Sequence, residues 1–368
     1  MEPGLSVVWG LRVSWYVVIV VALIGLLPLG AVSEFVRELC RRGKLKSATS
    51  VQSPPRFTVP QRWFSHFYIL GILVNTILLA VAFLFAYICT FPLQSHESKV
   101  SAMVFSMSGA GQTHAGIVGV DNVPQLAKYR ERAWSSFLLL AMLEIHLLRR
   151  LFESVYMFHY SPLARMHILG YFAGLGFYPG ASITFFTVHF QDKDYFSALN
   201  TFVVQTIGRF VILHTGPPLL NFELRVQDHV KSFQGLQAFQ WVGLAIFLLG
   251  SIQQYRLHSI LASLRAKRVH TGVEAVLKPF SMDKKRADRY EIPLGSWFEW
   301  VSCAHYLAEI VIFLGILIAS GGNNLNVWLC FTWVVLNLTF AASEMHKWYK
   351  TKFEDYPTCR YAIFPFIY

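Results

Sequence analysis

The sequence predicts an all-α integral membrane protein of about seven transmembrane helices, within a range of six to eight. Three observations carry this. Of 368 residues, 54% are hydrophobic and only 14% charged, a balance far more apolar than a soluble chain of this length needs. Apolar runs of the roughly 20 residues that cross a bilayer recur along the chain. Positive charge collects in clusters between those runs.

Six runs are long enough to span, at about 7–31, 64–91, 133–158, 235–262, 302–320 and 325–342. The first is longer than the 7–15 apolar residues of a signal peptide and has no basic segment before it, which predicts a retained anchor. Pro54, Pro55 and Pro60 break the segment after it, and a polar Gly- and Ser-containing loop fills about 92–130. The glycines at Gly109, Gly111, Gly116 and Gly119 follow no strand, so they read as loop and not as a phosphate cradle. Two further stretches, 164–190 and 195–220, hold Pro179-Gly180, Arg209, His214 and Pro217-Pro218, which predicts kinked, tilted or partly inserted helices. No internal repeat and no second domain is visible, so 1–368 reads as a single multi-span membrane domain.

Short cytosolic loops are enriched in Lys and Arg. The basic clusters fall at Arg37, Arg41, Arg42, Lys44 and Lys46, from Lys267 to Arg289, and at Lys347, Lys350 and Lys352. Placing all three on one side leads to seven spans, a lumenal N-terminus and a cytosolic C-terminus. The same bias explains the net charge of +11, with membrane lipid headgroups as the partner and no role for nucleic acid. Five scattered cysteines, Cys40, Cys89, Cys303, Cys330 and Cys359, suggest neither a disulfide framework nor a zinc site. Among the 13 histidines the closest pair is His159 and His167, too sparse for a histidine-clustered metal centre, so no metal is expected. A lipid transporter or scaffold is the non-enzyme alternative, but it would be expected to carry repeats near the midplane.

Polar side chains within or beside apolar spans are costly in hydrocarbon and are therefore candidate functional residues. One group is Gln254, Arg256, His258 and Arg265, of which Gln254, His258 and Arg265 share a helical face suited to an anionic ligand. The alternative for this group is simple snorkelling at the interface. A second is His305 with Glu309, one turn apart. A third is His346, Tyr349 and Lys350, followed by Glu354, Asp355, Tyr356 and Arg360; an interfacial aromatic belt would explain it equally well. Arg149 and Glu153 read as a local i, i+4 pair.

The order of these groups is Q-Y-R-L-H at Gln254, a basic loop, I-P-L-G-S-W-F-E-W-V-S from Ile292, H-Y-L-A-E from His305, then H-K-W-Y and F-E-D-Y-P in the tail. Over about 235–368 this order resembles the steroid 5α-reductase family of membrane oxidoreductases. Phe64 to Tyr68 (F-S-H-F-Y) and L-R-R-L-F-E after His146 are similar to its polyprenal reductase branch.

The resemblance implies a cytosol-facing NADPH pocket enclosed by the helices, built mainly from the C-terminal part, 235–368. Its cofactor-binding residues would be Gln254, Arg256, His258, Arg265, His305, Glu309, His346, Tyr349 and Arg360, and arginines suit phosphate groups through charge-assisted hydrogen bonds. It further implies residence in the endoplasmic reticulum membrane and reduction of the α-isoprene double bond of a long-chain isoprenoid, polyprenal or polyprenol, in dolichol synthesis for protein N-glycosylation. Alternatives that keep the cofactor half are a 3-oxo-5α-steroid 4-dehydrogenase and a trans-2-enoyl-CoA reductase. The glutamate and tyrosine with which steroid-reducing members hold the ketone are matched here by Phe67, beside His66, and Leu147, beside His146. His305 stands where many members have asparagine. Catalytic proton donors are therefore sought in His66 and Tyr68, with His146 as the alternative.

Overall fold

The computed structural model describes residues 3–27, 30–40, 57–90, 123–158, 160, 164–212, 236–277 and 290–368. The basic residues at 41–46 and 278–289, the glycines at 109–119, Pro54, Pro55, His214, Pro217, Pro218 and the side chain of Arg209 lie outside them.

The described architecture is helical. In chain order the elements are α1 (Pro3–Leu26), α2 (Ala31–Cys40), β1 (Thr58–Pro60), α3 (Phe64–Thr90), α4 (Val123–Phe152), a π-turn (Glu153–Met157), β2 (Arg165–His167), α5 (Ile168–Phe186), α6 (Lys193–Ile212), α7 (Ala238–Leu277), a short 3₁₀ turn (Ser296–Glu299), α8 (Ala304–Ala319) and α9 (Leu325–Lys352).

All-α character follows the expectation, but the span count does not. Among the described residues three helices are long and apolar enough to cross a bilayer, 4–26, 61–87 and 325–352. That finding replaces the expected seven spans, and the range of six to eight, together with the topology counted from them. The physical reason is that apolar runs were counted without the polar residues their helices take in. Helix α4 begins ten residues before its apolar run and carries Lys128, Arg130, Glu131 and Arg132 there, then Glu144, Arg149 and Arg150. Helix α7 extends over 40 residues and includes Arg256, Arg265, Lys267 and Arg268. Helix α5 is diluted by glycines and Pro179, α6 opens on Lys193 and Asp194, and α8 is apolar but has only 16 residues, about 24 Å at 1.5 Å per residue.

Short devices set the helix ends. His167 Nδ1 accepts from the Leu169 amide (3.2 Å) and starts α5. Between α8 and α9 the chain turns through Gly321 and Gly322, whose φ values of 80° and 69° fall where a Cβ is disfavoured. Asn324 then caps α9 by accepting from the Asn326 amide (2.9 Å) and donates through Nδ2 to the Val188 carbonyl (2.8 Å). Strands β1 and β2 pair antiparallel, Val59 opposite Met166, and so fix the start of α3 beside the start of α5.

The main core joins α3, α4, α5, α8 and α9 through Phe67, Leu139, Leu143, Phe185, Ile312 and Val334. A separate cluster of Leu257, Phe298, Val301, Ala304 and Ala308 fastens α7 to the start of α8. Backbones approach closely between α7 and α8. A Cβ on Gly243 would stand 2.5 Å from the Gly315 carbonyl oxygen, and one on Gly315 would stand 2.6 Å from the Phe247 amide nitrogen. Small residues let membrane helices meet at this distance, and the contact sets the register that brings Gln254 opposite Glu309.

This predicts that Gly315→Ala, which must push two backbones apart, destabilises the detergent-solubilised protein by about 1–3 kcal/mol. Gly176→Ala, where an added Cβ meets nothing within 4 Å, should leave the melting temperature unchanged. Thermal unfolding of the two variants beside the parent checks this.

Candidate functional site

The site is built around a carboxylate at the end of α4. Where α4 gives way to the π-turn, Glu153 is fully buried; π-turns of this kind recur at functional sites because they redirect side chains. Arg149 Nη1 donates to Glu153 Oε1 (2.5 Å), Arg150 Nη1 donates to Oε2, and His258 Nδ1 lies 2.8 Å from the same oxygen. One carboxylate thus faces two guanidinium groups and an imidazole. Removing one partner from such a buried set leaves charge uncompensated.

Each arginine then reaches a different helix. Arg150 Nη2 donates to the Tyr68 hydroxyl on α3 (2.9 Å), and its guanidinium lies 5.3 Å from the centre of the Tyr68 ring. Arg149 Nη2 donates to Gln254 Oε1 on α7 (2.5 Å). Gln254 Nε2 donates to the His305 carbonyl (3.2 Å) and to Glu309 Oε2, both on α8. His146 closes the circuit from α4. Arg149 Nη2 lies 3.2 Å from its Nδ1, and its Nε2 lies 3.2 Å from Glu309 Oε1. The second approach ties α4 to α8 through an imidazole–carboxylate contact. Two carboxylates, Glu153 and Glu309, therefore balance Arg149 and Arg150.

Aromatic rings wall this cluster. Phe158 meets the His258 ring edge-on at 5.0 Å, and both Arg150 and Arg265 lie within 6 Å of the Phe158 ring, close enough for cation–π attraction. The His258 and His305 rings are 5.6 Å apart, and the Tyr178 ring stands 5.5 Å from that of Tyr68.

The C-terminal tail makes a second polar group. Tyr361 bridges in parallel to Val301, and the Ser302 amide donates to the Tyr361 carbonyl (2.8 Å). This pins the tail over the start of α8. Ser302 Oγ is 2.6 Å from both His346 Nδ1 and the Tyr356 hydroxyl. Burial pushes the Tyr356 phenol above its ordinary range, against the opposing pull of Ser302 and Arg360, so it remains a donor. Tyr349 stacks on Tyr356 at 5.4 Å and 13°. Arg360 is buried, donates through Nη1 to the Pro293 carbonyl (2.9 Å) and has Glu299 3.9 Å away.

The structure thus gathers Tyr68, His146, Gln254, His258, His305 and Glu309 into one network, with Arg265 at its aromatic wall. His346, Tyr349 and Arg360 form the adjoining tail group. Two expected residues stand elsewhere. Arg256 is exposed on α7. His66 is also exposed, and its Nδ1 lies 3.0 Å from the Tyr171 hydroxyl beside Trp63. Sequence reasoning missed Arg150 and Ser302, and it read Arg149 and Glu153 as a local pair. The signal for all four was present: three charges at the end of an apolar run, and a serine inside the W-F-E-W-V-S motif.

The donor set suits an anionic, amide-bearing ligand. Arginines supply phosphate-type contacts, while the Gln254 amide and Glu309 carboxylate offer complementary donor and acceptor atoms. The buried Nε groups of Arg149 and Arg360 also lack a hydrogen-bond partner among the described residues.

Glu153→Ala is predicted to cost about 3–5 kcal/mol by leaving two buried guanidinium groups without their carboxylate. Arg256→Ala, on the exposed face, should change stability by less than about 0.5 kcal/mol. Chemical unfolding in a fixed detergent measures both.

Residues 219–368 match the family model for 3-oxo-5-alpha-steroid 4-dehydrogenase. Over nearly their whole length, relatives named polyprenal reductase are similar to this chain. Polyprenal reductase 2 of Arabidopsis thaliana is 38% identical, with 99% of each chain covered. Polyprenal reductase 1 of Oryza sativa subsp. indica is 36% identical, with 100% of this chain and 98% of the relative covered. Polyprenal reductase of Rattus norvegicus is 28% identical, with 99% and 98% covered. Identity of this order across whole chains, joined to the family match over the part that holds the tail group, means that this chain belongs to the steroid 5α-reductase family, in its polyprenal reductase branch.

Proposed function

We propose that this protein is an NADPH-dependent polyprenal reductase of the endoplasmic reticulum membrane, which saturates the α-isoprene double bond of a long-chain isoprenoid aldehyde and yields dolichal. The observation that carries the reading is the Arg150–Tyr68 hydrogen bond inside a charge-balanced network. It gives the phenol a donor on its oxygen and leaves its own O–H proton to be directed at a substrate.

The cofactor reading rests on the residues that fit it. Gln254, His258, His305 and Glu309 would hold the carboxamide end, and Arg265, His346, Tyr349 and Arg360 the remainder, all within 235–368. Arg256, exposed at the rim, would meet an outlying phosphate. Bound NADPH would supply the hydride for C3 of the terminal isoprene unit. Reduction there leaves an electron pair that needs a sink. A conjugated aldehyde accepts it as negative charge on oxygen, whereas an isolated allylic alcohol offers none, so polyprenal and not polyprenol is the species reduced.

The chain's own part is to stabilise that oxygen. The Tyr68 hydroxyl, held by Arg150, donates to it. Such a donor is worth about 2.7–4 kcal/mol in comparable oxyanion sites. His146, held between Arg149 and Glu309, is positioned to keep the arginine pair in register. His66 sits apart beside Tyr171 and Trp63, where it would meet the isoprenoid chain and not the aldehyde. The lysines Lys347, Lys350 and Lys352 at the end of α9 favour a cytosolic site, where NADPH is available. Dolichal passes to another reductase for conversion to dolichol, the lipid carrier of protein N-glycosylation.

Anaerobic incubation of the purified protein with NADPH and polyprenal, polyprenol, testosterone or an enoyl-CoA should give a product two hydrogens heavier with polyprenal alone. Turnover of testosterone alone, or failure of intact protein to bind NADPH, would overturn the reading. Tyr68→Phe should lower kcat for polyprenal by about 10²–10³-fold with NADPH affinity unchanged. An equal loss of cofactor binding would assign Tyr68 to the cofactor instead.

A further inference from the structure

A second buried network lies on the outer side of α3 and α4, and the proposed chemistry makes no use of it. Asn75 is wholly buried and donates through Nδ2 to the Leu140 carbonyl (2.9 Å) and to Glu144 Oε2 (2.7 Å). Thr76 Oγ1 donates to Glu144 Oε1 (2.9 Å). The asparagine thus brackets a carboxylate against α3, but Glu144 itself is only partly covered and Thr76 is exposed.

Depth makes this unusual. Helix α3 is one of the three membrane-long helices, spanning 61–87, and Asn75 lies about 20 Å of helix from either end of that span. Glu144 therefore stands near the middle of a hydrocarbon layer roughly 30 Å thick. Around it the surface is apolar: Leu73, Ile77, Ile145 and Leu148 are each at least half exposed. Glu153 and Glu309 have cationic or imidazole partners in the structure. Glu144 has two neutral donors and, among the described residues, no cation.

A carboxylate at this depth needs a partner, and the choice of partner is constrained. Acyl chains carry no donor, and headgroups remain at the surface. A second copy docking on the same face through a two-fold axis would set Glu144 against its own equivalent, a like-charge contact. What meets the need is a helix that carries a cation to mid-bilayer.

We propose that this face of α3 and α4 docks a transmembrane helix of a partner protein, which places a lysine or arginine near the bilayer midplane against Glu144. The apolar side chains around the carboxylate pack the partner helix, and Thr76 and Asn75 keep Glu144 aimed at it. The inference does not depend on the catalytic reading.

The test uses the full chain, fluorescently labelled and reconstituted in phosphatidylcholine vesicles, with labelled leucine-rich transmembrane peptides carrying a central Lys, Leu or Glu. Energy transfer should report association of the Lys peptide about tenfold tighter than the Leu peptide, with the Glu peptide no tighter than Leu. Glu144→Gln should bring the Lys peptide down to the Leu level while polyprenal turnover is retained. Equal binding of Lys and Leu peptides to the parent protein would overturn the proposal. So would undiminished Lys-peptide binding to Glu144→Gln, or Glu144-dependent transfer between copies of the protein itself. The peptide comparison on the parent protein stands alone if the variant does not fold.

Discussion

The neutralisation of Arg149 and Arg150 by one buried carboxylate, Glu153, is the interaction on which the rest of the site depends. Two guanidinium groups in an apolar bundle are tolerable only when their charge is met at close range and their remaining donors are used. Glu153 meets the charge. The spare donors then decide which helices must come together, because Arg150 requires an acceptor on α3 and finds Tyr68, while Arg149 requires one on α7 and finds Gln254. Gln254 passes the demand to Glu309 on α8. The polar network therefore fixes the arrangement of α3, α4, α7 and α8, and the same bonds that satisfy buried charge orient the phenol proposed to act on substrate.

Packing elsewhere serves that network. The Gly243–Gly315 contact allows α7 and α8 to approach until Gln254 and Glu309 are within hydrogen-bonding reach. The cluster of Leu257, Phe298 and Val301 holds the tail over the same pair of helices, and Ser302 ties His346 and Tyr356 together at their junction. Polar residues from three separate stretches of sequence thus meet in one region.

Much of this was legible in sequence, and the failures have physical causes. Gln254, His258 and Glu309 stood out because a polar residue in an apolar run has few reasons to be there, and Tyr68 because the family resemblance set it beside a substrate-holding position. The arginine pair did not, because a sequence exposes only near neighbours. Glu153 is four residues from Arg149 and looks local, whereas its contact with His258 joins residues 105 apart. The span count failed because apolar runs were counted without the polar residues their helices take in, and because α8 is short. Helix α4 holds Glu144, Arg149 and Arg150 within its apolar stretch and α7 holds Gln240, Gln253 and Gln254 within its own, so neither is as continuously apolar as α1, α3 and α9. His66 and Tyr68 share a helix, but their offset of two residues puts them about 200° apart on it, which is why only one reaches the arginine.

In the proposed reaction hydride enters the carbon–carbon double bond of a conjugated aldehyde whose oxygen is stabilised by the protein. The most direct measurement is the position of label after single turnover of polyprenal with NADPH deuterated at the transferable hydrogen, read by mass spectrometry and NMR. Deuterium is expected at C3 of the terminal isoprene unit, with a solvent-derived hydrogen at C2 and an intact aldehyde. Deuterium at C1, with the double bond retained, would mean direct reduction of the carbonyl and would contradict the proposed reaction.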